Sequence, residues 1–499
     1  MKYRQSKNKY STPSHSEYTP SKKGKTLEQK DRTDKGIDLG PLLRPRSLAV
    51  IGISQDPTRG GRFIWWRVQT QGYQGKKYPI SRSFTELDGV PCYRSVSDID
   101  EPIDLAIAAV PSAAVESVLI DCAQKRIKYV VIHSAGFAES GKEGKALQER
   151  VLMIARNAGM RLVGPNCMGI FCPEVRLNTI VELDKADAKT GSTAFCGQSG
   201  WVTENFIAGG SARGLRFSTV VSSGNQADLD LLDYVSYFGR DPSTRVICAY
   251  TEGIKRGKGL LAVVSQVGRT KPVIIWKSGF SQAGARAALS HSGSIAGDRE
   301  VWLGAARSKG IIVAEGFEDL TDLAVAFSAP PFPKSKRVGI IAEAGGGGIS
   351  ASDACERLGL EVKPFSSKLG GQLKGLLKDY LPPFSGTSNP LDLVWLPFDA
   401  ALTICTECIE SMASEVDSVI FMSYLPFFMP EMRSRYIGAL CRLRDRFHLP
   451  IYIVPPYAAR AAEGMKEFTI AGLPAFPSFE RAARAISATS WWRALASSE

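Results

Sequence analysis

The chain has 499 residues, too many for a single hydrophobic core and enough for about three domains of ordinary size. Its composition, 44% hydrophobic and 22% charged, is that of a globular protein. No apolar run reaches the roughly 18 residues of a membrane span, and the polar N-terminus lacks the apolar stretch of a secretory signal, so a cytoplasmic protein without a membrane role is expected. Half of the net charge of +12 lies in residues 1–36, read as a disordered basic tail. Aromatic residues are not interleaved with the basic ones as a base-stacking platform requires, which argues against nucleic acid as a partner. Ten cysteines are scattered without paired spacing, and several sit in apolar runs, which fits a reducing compartment. Cys405 and Cys408 form a lone CxxC with no second pair or histidines close in sequence, and they read as helix residues rather than metal ligands.

From Gly40 onward, short β-branched runs alternate with amphipathic segments, the pattern of βα units around parallel sheets. A first block, residues 37–186, has strand candidates at Ser47–Gly52, Asp104–Val110, Lys128–Ile132 and Arg161–Gly164 and reads as Rossmann-like. Within it, Ser140 and Glu143 have capping-box spacing before a helix with Leu147, Val151, Ile154 and Ala158 on one face, ended by Gly159. A second block, residues 187–328, has strands at Ser192–Phe195, Phe217–Val221, Val246–Tyr250 and Pro272–Trp276. The Pro-rich segment 329–336 reads as a linker. A third block, residues 337–499, follows with strands at Arg337–Ala342, Ser418–Met422 and Pro450–Val454, and with an ordered loop at Leu381–Pro390. All three blocks are expected to be α/β.

Four features point to phosphate chemistry. Gly52 and Ser54 follow the first strand in a turn that is not the GxGxxG of a dinucleotide site but suits a phosphate-bearing ligand, with loop amides and a helix start supplying the field. The second block opens with a strand, Gly197-Gln198-Ser199-Gly200 and an apolar helical run. The third opens with a strand, Glu343-Ala344 and Gly345 to Gly348, then another helical run. Each turn is equally a tight βα connection and an anion cradle, because free amides and a helix dipole converge there. Between them lies ALSHSGSIAG, residues 288–297, which sets His291 in a small-residue loop. A neutral imidazole there is a nucleophile at pH 7, and the flanking amides suit phosphate oxygens; the same loop also suits a histidine that hydrogen-bonds locally. Such a nucleophile needs an orienting acid, and Glu252, emerging after the strand VICAY, is the candidate; a solvated strand-end acid is the plainer reading.

Taken in order, these pieces resemble the alpha subunit of the NDP-forming acyl-CoA synthetases, the ADP-forming acetate–CoA ligase type, in the succinyl-CoA synthetase superfamily. The resemblance covers nearly everything after the basic tail. It rests on VVIHSAGFAESG (Val130 to Gly141), GPNCMG (Gly164 to Gly169), GQSG, SSGNQADLDLLDY (Ser222 to Tyr234), YTEGI, the histidine loop, AGGGG and NPLDL (Asn389 to Leu393). It implies a Rossmann-like CoA-binding domain followed by two flavodoxin-like, succinyl-CoA synthetase-like domains. By resemblance His291 is the transient phosphohistidine on a mobile loop and Glu252 its hydrogen-bonding partner. Ser199 and Gly200 would start one helix aimed at the phosphate, and Gly346, Gly347 and Gly348 the other. Gly52 and Ser54 would lie near the CoA phosphates, and Asn166, Cys167 and Met168 near the pantetheine end.

The implied reaction joins a carboxylic acid, CoA and a nucleoside triphosphate to give acyl-CoA, NDP and phosphate through an acyl phosphate and a phosphohistidine. No ATP-grasp domain is recognised, so nucleotide and Mg2+ are expected on a separate ATP-grasp beta subunit. Three departures from the family pattern stand out: Ser81-Arg82-Ser83 in the run YPISRS, where the family has a Pro-Val-Asn-Pro-Lys-like segment, Glu343 before the glycine run, and Trp65 and Trp66 in the first helix. Two rival readings are a catalytically silent CoA or acyl-CoA sensor and a nicotinamide-dependent oxidoreductase, the latter weakened by the missing GxGxxG.

Overall fold

The computed structural model describes residues 36–56, 60–292, 297–382, 386–394 and 396–497, the side chains of residues 288–292 excepted. The expected basic tail therefore lies outside the described residues, apart from Gly36. From Asp38 to the C-terminus the chain forms one compact unit.

Three parallel sheets are built in chain order. The first comprises β1 (Ser47–Ile51), β2 (Lys76–Ile80), β3 (Leu105–Ala108), β4 (Tyr129–Ile132) and β5 (Arg161–Val163), in the order β2-β1-β3-β4-β5. The second takes β6 (Gly169–Cys172), β7 (Leu177–Asn178), β8 (Thr193–Gly197), β9 (Phe217–Ser222), β10 (Val246–Thr251), β11 (Val273–Lys277) and β12 (Ile311–Ala314), in the order β12-β11-β10-β8-β9-β6-β7. The third has β13 (Val338–Ala342), β14 (Leu391–Asp392), β15 (Ser418–Met422) and β16 (Ile451–Ile453), in the order β14-β13-β15-β16. Setting aside the antiparallel pair β6 and β7 at one edge, each sheet repeats one winding, second-first-third-fourth, of the flavodoxin type. Each therefore has a crevice between its first and third strands where the chain turns opposite ways, the customary place for a ligand at the C-terminal sheet edge.

The central strands are buried end to end: β1, β8, β10, β13 and β15 have no exposed position. This is how strands read when helices cover both faces, and it is why unbroken apolar runs marked them in the sequence. Strands β2, β6, β7, β12 and β14 have no counterpart among the candidates read from the sequence; β7 and β14 are two residues long, and β2 opens with two lysines. The pairing also leaves the first sheet at Val163, and Gly169 already belongs to the second, with β6 antiparallel to β9.

Two local expectations are corrected. The helix Lys142–Asn157 has Gly141 at its N-cap and no side-chain cap. Ser140 closes a 3-10 turn instead, and Glu139 Oε1 accepts the Gly136 and Phe137 N–H groups at 2.7 and 3.0 Å. Val151 is buried as expected, but the face continues through Ala155, and Ala158 is exposed. Likewise, the backbone of His291 lies in the last turn of the helix Gln282–Ser292 rather than in a loop, because the Ala-rich run before it has high helix propensity. Residues 293–296 and the His291 side chain lie outside the described residues.

The second and third sheets share one core, in which Phe206, Ile274 and Leu323 join Ile340, Tyr452 and Ile486 in a single buried cluster. The C-terminal helix Phe479–Ser497 fastens it: Arg481 pairs with Asp322, Arg484 with Asp319, and Trp492 Nε1 donates to Gly268 O at 2.8 Å. Cys405 and Cys408 are buried in the helix Ala401–Met412, and all ten cysteines are free. Among the described residues, no helix is long and apolar enough to cross a membrane.

Candidate functional site

The first crevice is shaped by close backbone approach. Gly52 sits at φ +99° at the end of β1, and a Cβ there would fall 2.4 Å from Ala109 O, so only glycine lets the turn press against the end of β3. The helix Gly60–Thr70 packs on the same turn, and a Cβ on Gly61 would meet Gly52 O at 2.5 Å.

What opens there is a cleft of about 800 Å3. It brings Gly52, Ser54, Asn166, Cys167, Met168, Ser199 and Gly200 together from both of the first two sheets. Asn166 adopts φ +59°, its N–H donating to Ser134 O at 2.9 Å, and Met168 N donates to Ser222 Oγ at 3.0 Å. The Cys167 thiol is buried and pushed up to about 12, so it stays neutral. A second hollow of about 290 Å3 shares Gly52, Ser54, Val110 and Pro111 with the cleft and adds Ser81, Arg82, Ser83 and Arg94.

Ser199 is the N-cap of the helix Gly200–Ala212, its Oγ accepting from Val202 N at 3.4 Å, so the helix points its free amides at the cleft. Beside it Gln198 crosses the crevice of the second sheet. Its Oε1 accepts the Glu252 N–H at 2.8 Å and the Thr251 hydroxyl at 3.1 Å. Glu252 is buried, and Tyr250 donates to its Oε1 at 3.4 Å. Lys277, at the end of β11, is also buried; its Nζ donates to Glu252 O and Ser278 O and lies 4.1 Å from the Phe280 ring centre. Burial holds its ammonium below the ordinary value.

Gly346, Gly347 and Gly348 occupy the first turn of the helix Gly345–Arg357, capped by Ala344 without a side-chain bond; none of the three lines the cleft. Glu343 is buried and accepts from Ser423 Oγ and Tyr424 N, both at 2.8 Å. Burial raises its carboxyl above the usual range, against the pull of those two bonds.

The other departures have plain roles. Ser81 Oγ pins the turn by donating to Ile53 O at 2.7 Å and accepting from Ser83 N at 3.1 Å. Trp65 is fully buried with Nε1 donating to Asp88 Oδ2 at 2.9 Å, and Trp66 stacks on Phe63 at the surface.

Several groups at the site were not singled out from sequence: Gln198, Lys277, Arg94, Trp201, Asn225 and His133. The usable signal for three of them is position. Gln198 and His133 directly follow buried strands, as Glu252 does, and Lys277 ends one.

Comparisons with known proteins agree with this geometry. A family model described as a CoA binding domain matches residues 46–173, and one described as a succinyl-CoA ligase like flavodoxin domain matches residues 190–327. The alpha subunit of acetate–CoA ligase (ADP-forming) II from Pyrococcus furiosus is 38% identical over 355 residues, 71% of this chain and 75% of that one. The alpha subunit of the enzyme I from the same organism is 32% identical over 464 residues, covering 91% and 98%. A solved structure of the acetyl-coenzyme A synthetase 1 of Ca. Korarchaeum cryptofilum, in complex with phosphate and ADP, superposes with a TM-score of 0.80 at 31% identity, covering 92% and 97%. Against the ADP-forming acetate–CoA ligases of Archaeoglobus fulgidus and Methanocaldococcus jannaschii, whose names carry no subunit, the chain spans about half the length. These relatives favour neither the silent-sensor nor the nicotinamide reading. A cleft that joins a CoA-binding sheet to a capped helix start is thus found in a chain that belongs to the family of ADP-forming acetate–CoA ligase alpha subunits, acid–thiol ligases of the succinyl-CoA synthetase superfamily.

Proposed function

We propose that this chain binds CoA in the 800 Å3 cleft and carries a phosphoryl group on His291, working with a separate ATP-grasp beta subunit that holds nucleotide and Mg2+. The observation that carries the reading is the convergence of Gly52, Ser54, Asn166 to Met168, Ser199 and Gly200 on that one cleft. Its elongation into the second hollow suits a long ligand with a phosphorylated end. Arg82 and Arg94 offer cations there, while the small and apolar side chains of Ala109, Val110 and Met168 suit the pantetheine tail.

In the acyl-CoA-consuming direction, phosphate attacks the thioester carbonyl and CoA leaves as the thiol, giving an acyl phosphate. An imidazole nitrogen of His291 then attacks phosphorus and the carboxylate departs. The developing charge on the phosphoryl oxygens would meet the amides at the start of the helix Gly200–Ala212. Glu252, fixed through its backbone by Gln198, would accept a hydrogen bond from the other ring nitrogen and stabilise the imidazolium-like phosphohistidine. Gly346 to Gly348 would serve a second phosphate position, separate from the CoA cleft. Splitting the transfer in two lets distant acyl and nucleotide sites share one phosphoryl group.

The test is labelling with an acyl phosphate, or with nucleotide plus the partner chain. An acid-labile phosphate that is lost in His291→Ala is expected. Absence of label with a partner shown to bind nucleotide would overturn the reading.

A further inference from the structure

His133 is a titratable group in the cleft that the phosphoryl relay leaves without a task. It directly follows β4, and its N–H donates to Ala108 O at 3.0 Å, which holds it beside the end of β3. The next residue is tied to the pantetheine-side turn, because Ser134 O accepts the Asn166 N–H. The ring therefore stands where the first sheet meets residues 166–168. Its Cδ2 edge, which also carries Nε2, is turned toward Gly60, where an added Cβ would come within 3.7 Å, and Gly60 lines the same cleft. Its Nδ1 is buried with no hydrogen-bond partner.

The charged and polar groups around the ring favour its neutral form. Burial lowers its pKa from the ordinary imidazole value, a hydrogen bond between the ring and the Cys167 backbone opposes this, and the Arg67 guanidinium on the helix Gly60–Thr70 acts in the same sense as burial. The Cys167 thiol, which lines the same cleft, is itself neutral, and Ser54, Ser112 and Ser134 add hydroxyls rather than charge. At pH 7 such a ring is an unprotonated base at the wall of a cleft assigned to a thiol.

We propose that His133 is the general base for the CoA thiol. The inference rests on the assignment of the cleft to CoA. In acyl-CoA formation the sulfur attacks the acyl phosphate carbonyl, a C–S bond forms, and the C–O bond to phosphate breaks with its electron pair on the departing phosphate. The thiol proton passes to the imidazole and then to that phosphate or to water. In the reverse direction the imidazolium protonates the departing sulfur. The need is clear: a thiol with a pKa near 8.5 is only a few per cent ionised at pH 7, and a positioned base contributes roughly 10²- to 10⁴-fold.

The experiment uses the assembled two-subunit enzyme with His133→Gln and His133→Asn. Single-turnover formation of acyl-CoA from phosphorylated enzyme, acid and CoA is followed from pH 5.5 to 9.5, beside the Kd for CoA and the labelling of His291. Expected are unchanged labelling, a Kd for CoA that moves far less than the rate, and a fall in rate of at least about 30-fold at pH 7. That deficit should shrink toward pH 9, where the thiol ionises unaided. A deficit equal at all pH values, or none at pH 7, would overturn the proposal. Failure of wild-type enzyme to bind CoA would instead overturn the cleft assignment beneath it.

Discussion

At the crevice of the second sheet Gln198 reaches from the end of β8 to the Thr251 hydroxyl and the Glu252 N–H; at the crevice of the third sheet Glu343 reaches from the end of β13 to the Ser423 hydroxyl and the Tyr424 N–H. The registers make these positions equivalent. Gly197 is abreast of Tyr250, and Ala342 is abreast of Met422, so each clamp residue is the next one along, opposite a hydroxyl residue. One geometric device, a side chain that closes the first-to-third strand gap, is thus built once with a neutral amide and once with a carboxylic acid. The residue after the hydroxyl differs too: an acid, Glu252, in the second sheet and a phenol, Tyr424, in the third. Glu343 is therefore committed to the end of β15, which explains how an acid is tolerated two residues before a glycine-rich helix start. The second sheet keeps its clamp uncharged beside Ser199 and Gly200, where an anion is expected, and places its carboxylate one step farther on.

Removing the neutral clamp gives the largest effect. Gln198→Leu keeps the bulk but leaves the Glu252 N–H, on a buried residue, without its acceptor. A loss of about 1–3 kcal/mol in stability is expected, read by chemical denaturation, together with weaker labelling of His291 because the Glu252 backbone is no longer fixed. A variant with full stability and full labelling would show that the clamp does not hold Glu252.

Much of this was legible in the chain. Unbroken apolar runs gave the central strands, and a Ser followed by Gly and an apolar run gave the capped helix start at Ser199, because both signals are local. The clamp was not legible. Gln198 and Glu343 acquire their roles from strand pairing across 53 and 80 residues, and nothing near them in sequence marks their partners. The capping box at Ser140 and Glu143 failed for the opposite reason: the local pattern was present, but Glu139 bent back to the preceding turn and Gly141 took the cap position. His133 carries no local signal beyond its place directly after an apolar strand.

The acid clamp is tested by giving the third sheet the amide of the second, Glu343→Gln. Ser423 can rotate its hydroxyl to accept from the new amide while Tyr424 N still donates to its oxygen. Because the folded carboxyl titrates above its unfolded value of about 4.5, the wild type binds more protons when folded through that window. Its extra stability is fully present below the unfolded value and is lost as pH rises through the folded one. Thermal midpoints of the two proteins, measured from pH 4 to 8, should therefore diverge in favour of the variant as pH rises and then run parallel. Curves parallel throughout would mean that Glu343 keeps an ordinary titration and that the two clamps are electrostatically alike.

The smallest effect separates the two helix starts themselves. A Cβ on Gly346 meets nothing within 4 Å, whereas one on Gly200 would lie 3.0 Å from Met168 Cγ and Sδ. Both glycines sit in the first helical turn, where alanine restricts the unfolded chain more than glycine does. Gly346→Ala is thus expected to stabilise the protein by about 0.5 kcal/mol. Gly200→Ala should gain less or lose, because Met168 must move at the floor of the cleft. Stability alone does not distinguish a spare glycine from a functional one, so each variant is also assayed for phosphoryl transfer. If Gly346 belongs to a phosphate cradle, its new methyl group intrudes where the anion sits, and turnover falls while the thermal midpoint rises. A Gly346→Ala protein that is more stable and fully active would remove the third sheet from the phosphate path and leave the Ser199 helix as the site of charge stabilisation.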